Sequence, residues 1–227
     1  MPNSPTEDTK AFHAAHARSY AEGPPRQVPG FADLHRMTSM LLSERVPSNG
    51  RVLVLGAGGG LELKALADDH AGWMFDGVDP SADMLEAAEQ IVRPHSARMR
   101  LHHGYIDIAP EGPFDGGVCL LTMHFVSRDQ RLETLREVHS RLVPNAPFVV
   151  AHISFTQTEP QRSMWINRHV AFSGTNPANA ENAIRAIATR LSILSPEEDE
   201  AMLREAGFSG VSLFYAGLTF RGWVGYA

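Results

Sequence analysis

The feature that most constrains this chain is the run VLVLGAGGG at residues 52–60, followed by an acidic residue at Asp79. A short apolar run, then three alternating glycines, then the helical pattern LELKALA is typical of a buried strand that turns into a helix. Glycines adopt φ > 0 without penalty and let a ligand come close to the backbone. An acidic residue about twenty positions further on, at the end of a second apolar strand, is placed to hold a ribose diol. The pattern therefore predicts a nucleoside-binding βαβ unit.

The glycine spacing also indicates which class of nucleoside cofactor the unit would bind. The nicotinamide fingerprint GxGxxG requires a glycine where Leu61 stands. A nicotinamide oxidoreductase is therefore the weakest of the alternatives that the motif leaves open.

Strand and helix patterns alternate along most of the chain. The predicted elements are helix 6–21, helix 31–46, strand 51–56, helix 60–69, strand 73–79, helix 81–92, strand 98–104, strand 114–121, helix 128–142, strand 147–155 and helix 196–206. Such alternation predicts an α/β fold, with a parallel sheet covered by helices on both faces. Two helical stretches with no strand between them, at 156–194, predict an insertion over the C-terminal edge of the sheet. Two final strands, with a turn near Ala216 and Gly217, predict an antiparallel last strand.

Composition limits the partners and the compartment. The net charge of −6 gives no basic surface for a phosphate backbone, so stable nucleic-acid binding is not expected. The single cysteine, Cys119, cannot form an intrachain disulfide, which fits a cytoplasmic protein. No signal peptide or membrane-spanning run is visible, so neither export nor a membrane is expected. The chain shows neither the Cys/His spacing of a metal site nor a Ser–His–Asp signature.

Five motifs, in order, resemble the class I S-adenosyl-L-methionine (SAM)-dependent methyltransferases. They are VLVLGAGGG, DPSADMLEAA, HHGYIDIAP, PFDGGVCLLTMHFV and the EAGF before the last two strands. The resemblance runs from about residue 28 to the end. It implies a Rossmann-like, seven-stranded, mostly parallel sheet of order 3-2-1-4-5-7-6 with strand 7 antiparallel and a helical lid insertion at 156–194. It also implies SAM as methyl donor and S-adenosyl-L-homocysteine (SAH) as product.

The resemblance implies a set of cofactor-binding residues. They are Phe31, Gly56, Ala57, Gly58, Gly60, Asp79, Pro80, Tyr105, Ile106 and Leu120. The glycines would wrap the methionine portion, and Asp79 would accept hydrogen bonds from both ribose hydroxyls or cap the following helix. The loop at Tyr105 would edge the adenine. Phe31 would cover the sulfonium or, alternatively, fasten the N-terminal helix to the core.

The methionine end departs from the family pattern. Family members usually carry an acidic residue where Val54 stands, and often a polar residue where Leu120 stands. The ammonium group of the cofactor would then need backbone carbonyls or another side chain, such as Glu62. These departures also keep open a non-catalytic SAM- or SAH-binding protein.

Within the family, VPGF at 28–31, RSMW at 162–165 and the ending LFYAGLTFRGWV resemble the carboxy-SAM synthase group. That group binds a SAM-derived cofactor, and an arginine of its insertion holds the extra carboxylate. Arg190 is the nearest candidate for that arginine, but the segment is shorter and does not align cleanly. Plain SAM is therefore the expectation, and an enzyme that makes or uses a modified SAM is the alternative.

Candidate acceptor-binding residues lie past the fourth and fifth strands and in the insertion. Imidazole can take a proton near neutrality, so His124 is the candidate catalytic residue and His152 a candidate substrate contact. Arg162, Trp165 and Arg190 would clamp an anionic small-molecule acceptor, unless they form only a solvated helix face.

The pattern of elements and the family resemblance together predict the domain division. Residues 1–30 are expected to form an N-terminal helix or lid, and residues 31–227 the methyltransferase domain. The first 25 residues suit a cofactor lid, a disordered tail or a dimer arm, so a homodimer is one open alternative.

Overall fold

The computed structural model describes residues 23–227, so the predicted helix 6–21 lies outside the described residues. The strands are β1 (Arg51–Leu55), β2 (Met74–Asp79), β3 (Met99–His103), β4 (Gly116–Leu120), β5 (Pro147–Ile153), β6 (Ser209–Gly217) and β7 (Phe220–Tyr226). The principal helices are α1 (Phe31–Ser43), α2 (Leu61–Asp69), α3 (Ala82–Ile91), α4 (Arg128–Ser140), α5 (Gln161–Phe172), α6 (Ala180–Arg190) and α7 (Pro196–Glu205).

The strands form one seven-stranded sheet of order β3-β2-β1-β4-β5-β7-β6. Neighbours from β3 to β5 are parallel, whereas β7 runs antiparallel to both β5 and β6. This topology confirms the predicted fold class. Because β4 and β1 are neighbours, the chain reverses its direction of winding between them, and ligands bind at such a switch point in open α/β sheets.

Two apolar clusters cover the two faces of the sheet. The first cluster takes buried side chains from β1, β5 and the helices α1, α2 and α3, among them Leu34, Leu42, Leu63, Leu66 and Leu85. The second cluster takes them from the opposite sides of the strands and from α4 and α7, among them Leu135, Val138 and Leu203. All seven residues of β5 are buried, as expected for a strand covered on both faces.

The inserted helices α5 and α6 pack on the first cluster. Trp165, Ile184 and Ile187 are partly buried against it. The end of the insertion is tied to the loops after β4 and β5, because Ser192 N–H donates to His124 O over 2.8 Å and Phe155 N–H donates to Leu194 O. The insertion is therefore anchored beside the C-terminal edge of the sheet.

Helix α1 ends at Ser43 and not at the predicted residue 46. The chain turns there because the N–H groups of Arg45 and Val46 both donate to Leu42 O. Pro47 follows, and a residue before proline avoids the helical conformation.

The final turn was also misplaced. It lies at Leu218 and Thr219, since Gly217 still pairs with Phe220 in the ladder. Leu218 adopts a positive φ of 54° in this turn. Gly217 is instead needed inside the strand, where a Cβ would lie 2.3 Å from the Tyr215 hydroxyl oxygen.

Candidate functional site

The C-terminal ends of β1 to β4 meet at one edge of the sheet, where a cleft of about 790 Å³ opens. Its walls come from the loops after these four strands and from one side of α4. The lining residues are Leu55, Gly56, Pro80, Gly104, Tyr105, Ile106, Asp107, Thr122, Phe125, Val126, Gln130, Glu133, Thr134, Glu137 and Arg141. The cleft therefore brings together several residues that the sequence predicted as cofactor-binding.

The glycine turn is shaped first by its protein neighbours. Gly56 has φ 74°, and a Cβ there would lie 2.0 Å from Thr122 Oγ1. Gly60 has φ 80°, and a Cβ there would lie 2.9 Å from the Ala88 Cα atom, so this glycine lets α2 begin against α3. Packing alone therefore requires both glycines, and their contact with a methionine portion stays a prediction.

Asp79 is held by the two loops that flank it. It is 8% exposed, its Oδ2 accepts the Gly58 N–H over 2.9 Å and its Oδ1 accepts the Ser81 N–H over 2.9 Å. Ser81 in turn caps α3 by accepting the Met84 N–H. Each carboxylate oxygen keeps a further lone pair. The structural role and the predicted ribose contact are therefore compatible.

The loop after β3 forms the far wall of the cleft. Gly104 N–H donates to Asp79 O over 3.0 Å, which fixes the loop beside the end of β2. Ile106 is buried and begins a 3-10 turn, whereas the Tyr105 ring is 71% exposed. Tyr105 is thus available to a ligand ring, as the prediction requires.

Sequence reasoning missed the contribution of the loop after β4. Thr122 packs on Gly56, and the Phe125 ring is 67% exposed in the cleft wall. The chain reaches these positions through Leu121, whose φ of 57° is rare for a residue other than glycine. Such strained residues cluster at functional sites, but φ cannot be read from a sequence.

The remaining predicted cofactor residues occupy the other side of the glycine turn. Ala57 and Leu120 are buried in the first cluster, and Phe31 packs partly on the same cluster with its ring edge-on to His35 at 4.4 Å. The Tyr215 hydroxyl donates to Pro29 O and thereby fixes the segment that leads into α1. Pro80, by contrast, is exposed in the cleft wall.

Glu62 is a buried carboxylic acid in the first turn of α2. It is 8% exposed, and burial raises its pKa to about 8, with the nearby charge of Asp79 adding to the increase. Within residues 23–227, its carboxyl has no cationic partner, and its own backbone N–H is the donor that it meets. Such a group is typical of a site that receives a charged ligand.

His124 presents a hydrogen-bond donor and not a base. Its Nδ1 accepts the Ile153 N–H over 3.4 Å, which places the ring proton on Nε2. Burial lowers the pKa of His124 well below its usual value, and the nearby Arg131 guanidinium lowers it further. The neutral ring therefore has no free lone pair with which to remove a proton.

His152 lies on the opposite face of the sheet from the inserted helices. Its Nε2 is 3.1 Å from Asp199 Oδ2, and its ring centroid is 5.6 Å from that of Trp223. Arg131 Nη1 donates to Asp199 Oδ1 over 2.8 Å in the same buried cluster. These surroundings favour a structural role, and a contact of His152 with substrate stays a prediction without support from its position.

The insertion residues are not brought together as a clamp. The Arg162 guanidinium donates to Gln157 Oε1 and to Ala188 O, so it joins α5 to the end of α6. Trp165 lies 4.7 Å from the Arg168 guanidinium and is partly buried on the first cluster. Arg190 is exposed as the last residue of α6. An anion clamp would therefore require these helices to rearrange.

Residues 23–227 contain neither a candidate metal cluster nor a membrane-spanning helix. No group of three or more His, Cys, Asp or Glu side chains there could hold a metal ion. No helix in that range is long and apolar enough to cross a membrane.

Comparisons with known proteins agree with this geometry. Residues 52–145 match the model of a methyltransferase domain. A carboxy-S-adenosyl-L-methionine synthase of Glaesserella parasuis is 25% identical over 203 residues, which is 86% of this chain and 84% of that protein. The corresponding synthase of Campylobacter lari is 21% identical over 98% of this chain and 96% of its own length.

Solved structures show the same fold at low identity. A SAM-dependent methyltransferase from Aquifex aeolicus superposes with a TM-score of 0.64 at 15% identity, covering 93% of this chain and 97% of its own. An O-methyltransferase family protein from Burkholderia thailandensis gives 0.66 at 14% identity, where the match covers 96% of this chain but 58% of the other.

Proposed function

Because the chain belongs to the class I SAM-dependent methyltransferase family, we propose that it transfers a methyl group from SAM to a small-molecule acceptor by in-line displacement. The observation that carries the proposal is the cleft at the ends of β1 to β4, with Asp79 held between the glycine turn and α3. This is the edge at which open α/β sheets bind ligands.

The residues at this edge fit SAM. The bound cofactor would supply a methyl carbon activated by a positive sulfur, so the chain itself needs chiefly to orient the reactants. Orientation of two reactants can lower a barrier by about 7–11 kcal/mol. Asp79 would hold the ribose, and Tyr105 and Phe125 offer exposed rings to the adenine.

His124 would position the acceptor. Its Nε2–H can donate to an acceptor oxygen, whereas its Nδ1 is already occupied by the Ile153 N–H. This assignment replaces the predicted general-base role by a positioning role. It fits an acceptor that is already anionic or that loses its proton to solvent.

The curated relatives favour a second candidate function. The two synthases compared above cover most of this chain, and their names state a carboxylated SAM as product. The alternative is therefore an enzyme that makes or uses such a cofactor. Mass spectrometry of ligand retained through purification would separate the two, because the carboxylated cofactor is heavier.

A cytoplasmic location and a homodimer stay predictions from the sequence.

Calorimetric titration with SAH tests the proposed nucleoside site. Wild-type protein is expected to bind SAH, and Asp79→Ala to bind it about 10- to 100-fold more weakly, since a charge-assisted hydrogen bond contributes roughly 1.5–3 kcal/mol. Asp69→Ala is the matched control, because it removes an exposed carboxylate at the far end of α2. Thermal unfolding of each variant checks that the turn survives.

The outcomes are distinct. Equal affinity of the Asp79 and Asp69 variants for SAH would exclude Asp79 from the site. No binding to wild-type protein, once mass spectrometry has shown that the site is free of retained ligand, would overturn the proposed function.

A further inference from the structure

We propose that Glu62 is the residue that binds the α-ammonium group of the cofactor, and that ligand binding there releases a proton. The inference rests on the proposed function and deepens it, because it assigns the methionine end of the same site. Its basis is a carboxyl group buried at the ligand-binding edge without a cationic partner within residues 23–227.

The position of Glu62 follows from the glycine turn. Gly60 has a left-handed conformation and starts α2, so Glu62 stands in the first helical turn directly after the loop that crosses the ends of β1 and β4. β1 and β4 contribute apolar side chains to the first cluster, including Val54 and Leu120. These two positions therefore offer no polar side chain to an ammonium group, and the acidic residue in the first turn of α2 is Glu62.

The charges around Glu62 call for a cation. The titratable groups that face it are Asp79 at the end of β2 and the Cys119 thiol on β4, and each would be anionic if ionised. A buried carboxylate without a partner is costly, and a second carboxylate beside it increases the cost. In the ligand-free protein at neutral pH the proton therefore stays on Glu62.

The chemistry of the cofactor supplies the missing partner. The adenosine end of SAM is neutral and suits the outer cleft, whereas the amino-acid end carries an ammonium group. An ammonium next to Glu62 favours the ionised carboxylate, so the proton leaves as the ligand enters. The rival interpretation is a protonated glutamic acid that only fills space in the core.

Two ligands separate these interpretations. SAH carries the ammonium group, whereas 5′-methylthioadenosine lacks the whole amino-acid end but keeps the nucleoside. Glu62→Gln is expected to weaken SAH binding by tenfold or more and to change 5′-methylthioadenosine binding by less than twofold. Asp79→Ala is expected to weaken both ligands, which makes it the matched control for the nucleoside end.

Proton release gives an independent measurement. Titration of wild-type protein with SAH at pH 7, in buffers of different ionisation enthalpy, should show a proton released, and Glu62→Gln should show none. Wild-type affinity for SAH should rise from pH 6 to pH 8, while affinity for 5′-methylthioadenosine stays flat. This pH series needs no variant and stands even if Glu62→Gln fails to fold.

The results distinguish failure of this inference from failure of the proposed function. If both ligands bind and neither the Gln variant nor pH distinguishes them, Glu62 is a structural residue and the inference is overturned. If neither ligand binds to wild-type protein, the nucleoside site itself is absent and the proposed function fails first.

Discussion

Gly56 contacts Thr122 where the loops after β1 and β4 approach each other. This contact alone is enough to require a glycine at position 56. A Cβ at Gly56 would overlap the Thr122 side chain even with no cofactor bound. Leu121 brings Thr122 to this place by adopting φ 57°. At the scale of single residues, the glycine motif that is predicted to bind the cofactor is therefore also a packing motif.

Replacement of Gly56 should cost more stability than replacement of another left-handed glycine. Gly174 has φ 67° but nothing within 4 Å of an added Cβ, so Gly174→Ala should cost only the left-handed strain of about 1–2 kcal/mol. Gly56→Ala adds the overlap with Thr122, and overpacking typically costs a further 1–3 kcal/mol or so. Urea unfolding of both variants measures the difference. Equal losses would mean that the Thr122 loop moves freely.

At the scale of elements, α4 and α7 are joined by one buried ion pair and by two exposed ones, Arg128–Glu198 and Arg136–Glu205. Arg131 and Asp199 pair with side-chain exposures of 1% and 2%, and the Arg131 guanidinium also donates to Met123 O over 2.8 Å. Arg128 and Glu198 pair one turn away with exposures of 57% and 36%. The same two helices thus offer a direct comparison of buried and exposed charges.

The buried pair should dominate the stability of this contact. Arg131→Met removes the guanidinium partner of the buried Asp199 carboxylate and leaves His152 beside its Oδ2, and removal of one member of a buried pair typically costs about 3–5 kcal/mol. Arg128→Met removes only an exposed pair, for which about 0–1 kcal/mol is expected. Chemical denaturation gives both values. The double variant Arg131→Met, Asp199→Asn should regain part of the loss, and no recovery would show that the Asp199 charge is not its cause.

The elements also show what a sequence can and cannot reveal. The alternation of apolar strands and amphipathic helices predicted the parallel sheet, because both periods are local properties. The strand order was implied only by the resemblance to the methyltransferase family. Arg131 could not be recognised as buried, since its partner Asp199 lies 68 positions away. The same holds for the loop after β4, whose Thr122 and Phe125 reach the cleft only through an unusual backbone angle at Leu121.

At the scale of the whole molecule, buried titratable groups make the free energy of unfolding depend on pH in opposite directions. Burial lowers the pKa of four histidines, to about 4 for His35 and below the usual value for His70, His124 and His169. Burial raises the pKa of Glu62 to about 8. The folded state therefore resists protonation of the histidines and ionisation of the glutamic acid. Carboxylates whose pKa is lowered, such as Asp199, change the free energy of unfolding only near and below pH 4.

These shifts predict a stability maximum near pH 7 for the ligand-free protein. A histidine whose folded pKa is lowered stabilises the fold above its unfolded value of about 6.5, and that stability is lost as the pH falls toward 4. For His35 alone the loss approaches about 3 kcal/mol. Glu62 acts in the opposite sense, because its raised pKa favours the fold at low pH and the advantage disappears as the pH rises toward 8.

The free energy of unfolding, measured by urea denaturation from pH 4 to 8.5, should therefore fall on both sides of the maximum. Above about pH 7.5 the histidines are neutral in both states, so the decline there belongs to Glu62. Glu62→Gln should abolish that decline and make the acid side steeper, because Glu62 opposes the histidines from about pH 4.5 upward, whereas His35→Gln should make only the acid side shallower. Saturating SAH should also flatten the alkaline side, because a bound ammonium would stabilise the ionised Glu62. A wild-type stability that rises between pH 7.5 and 8.5 would contradict the assignment of a raised pKa to Glu62.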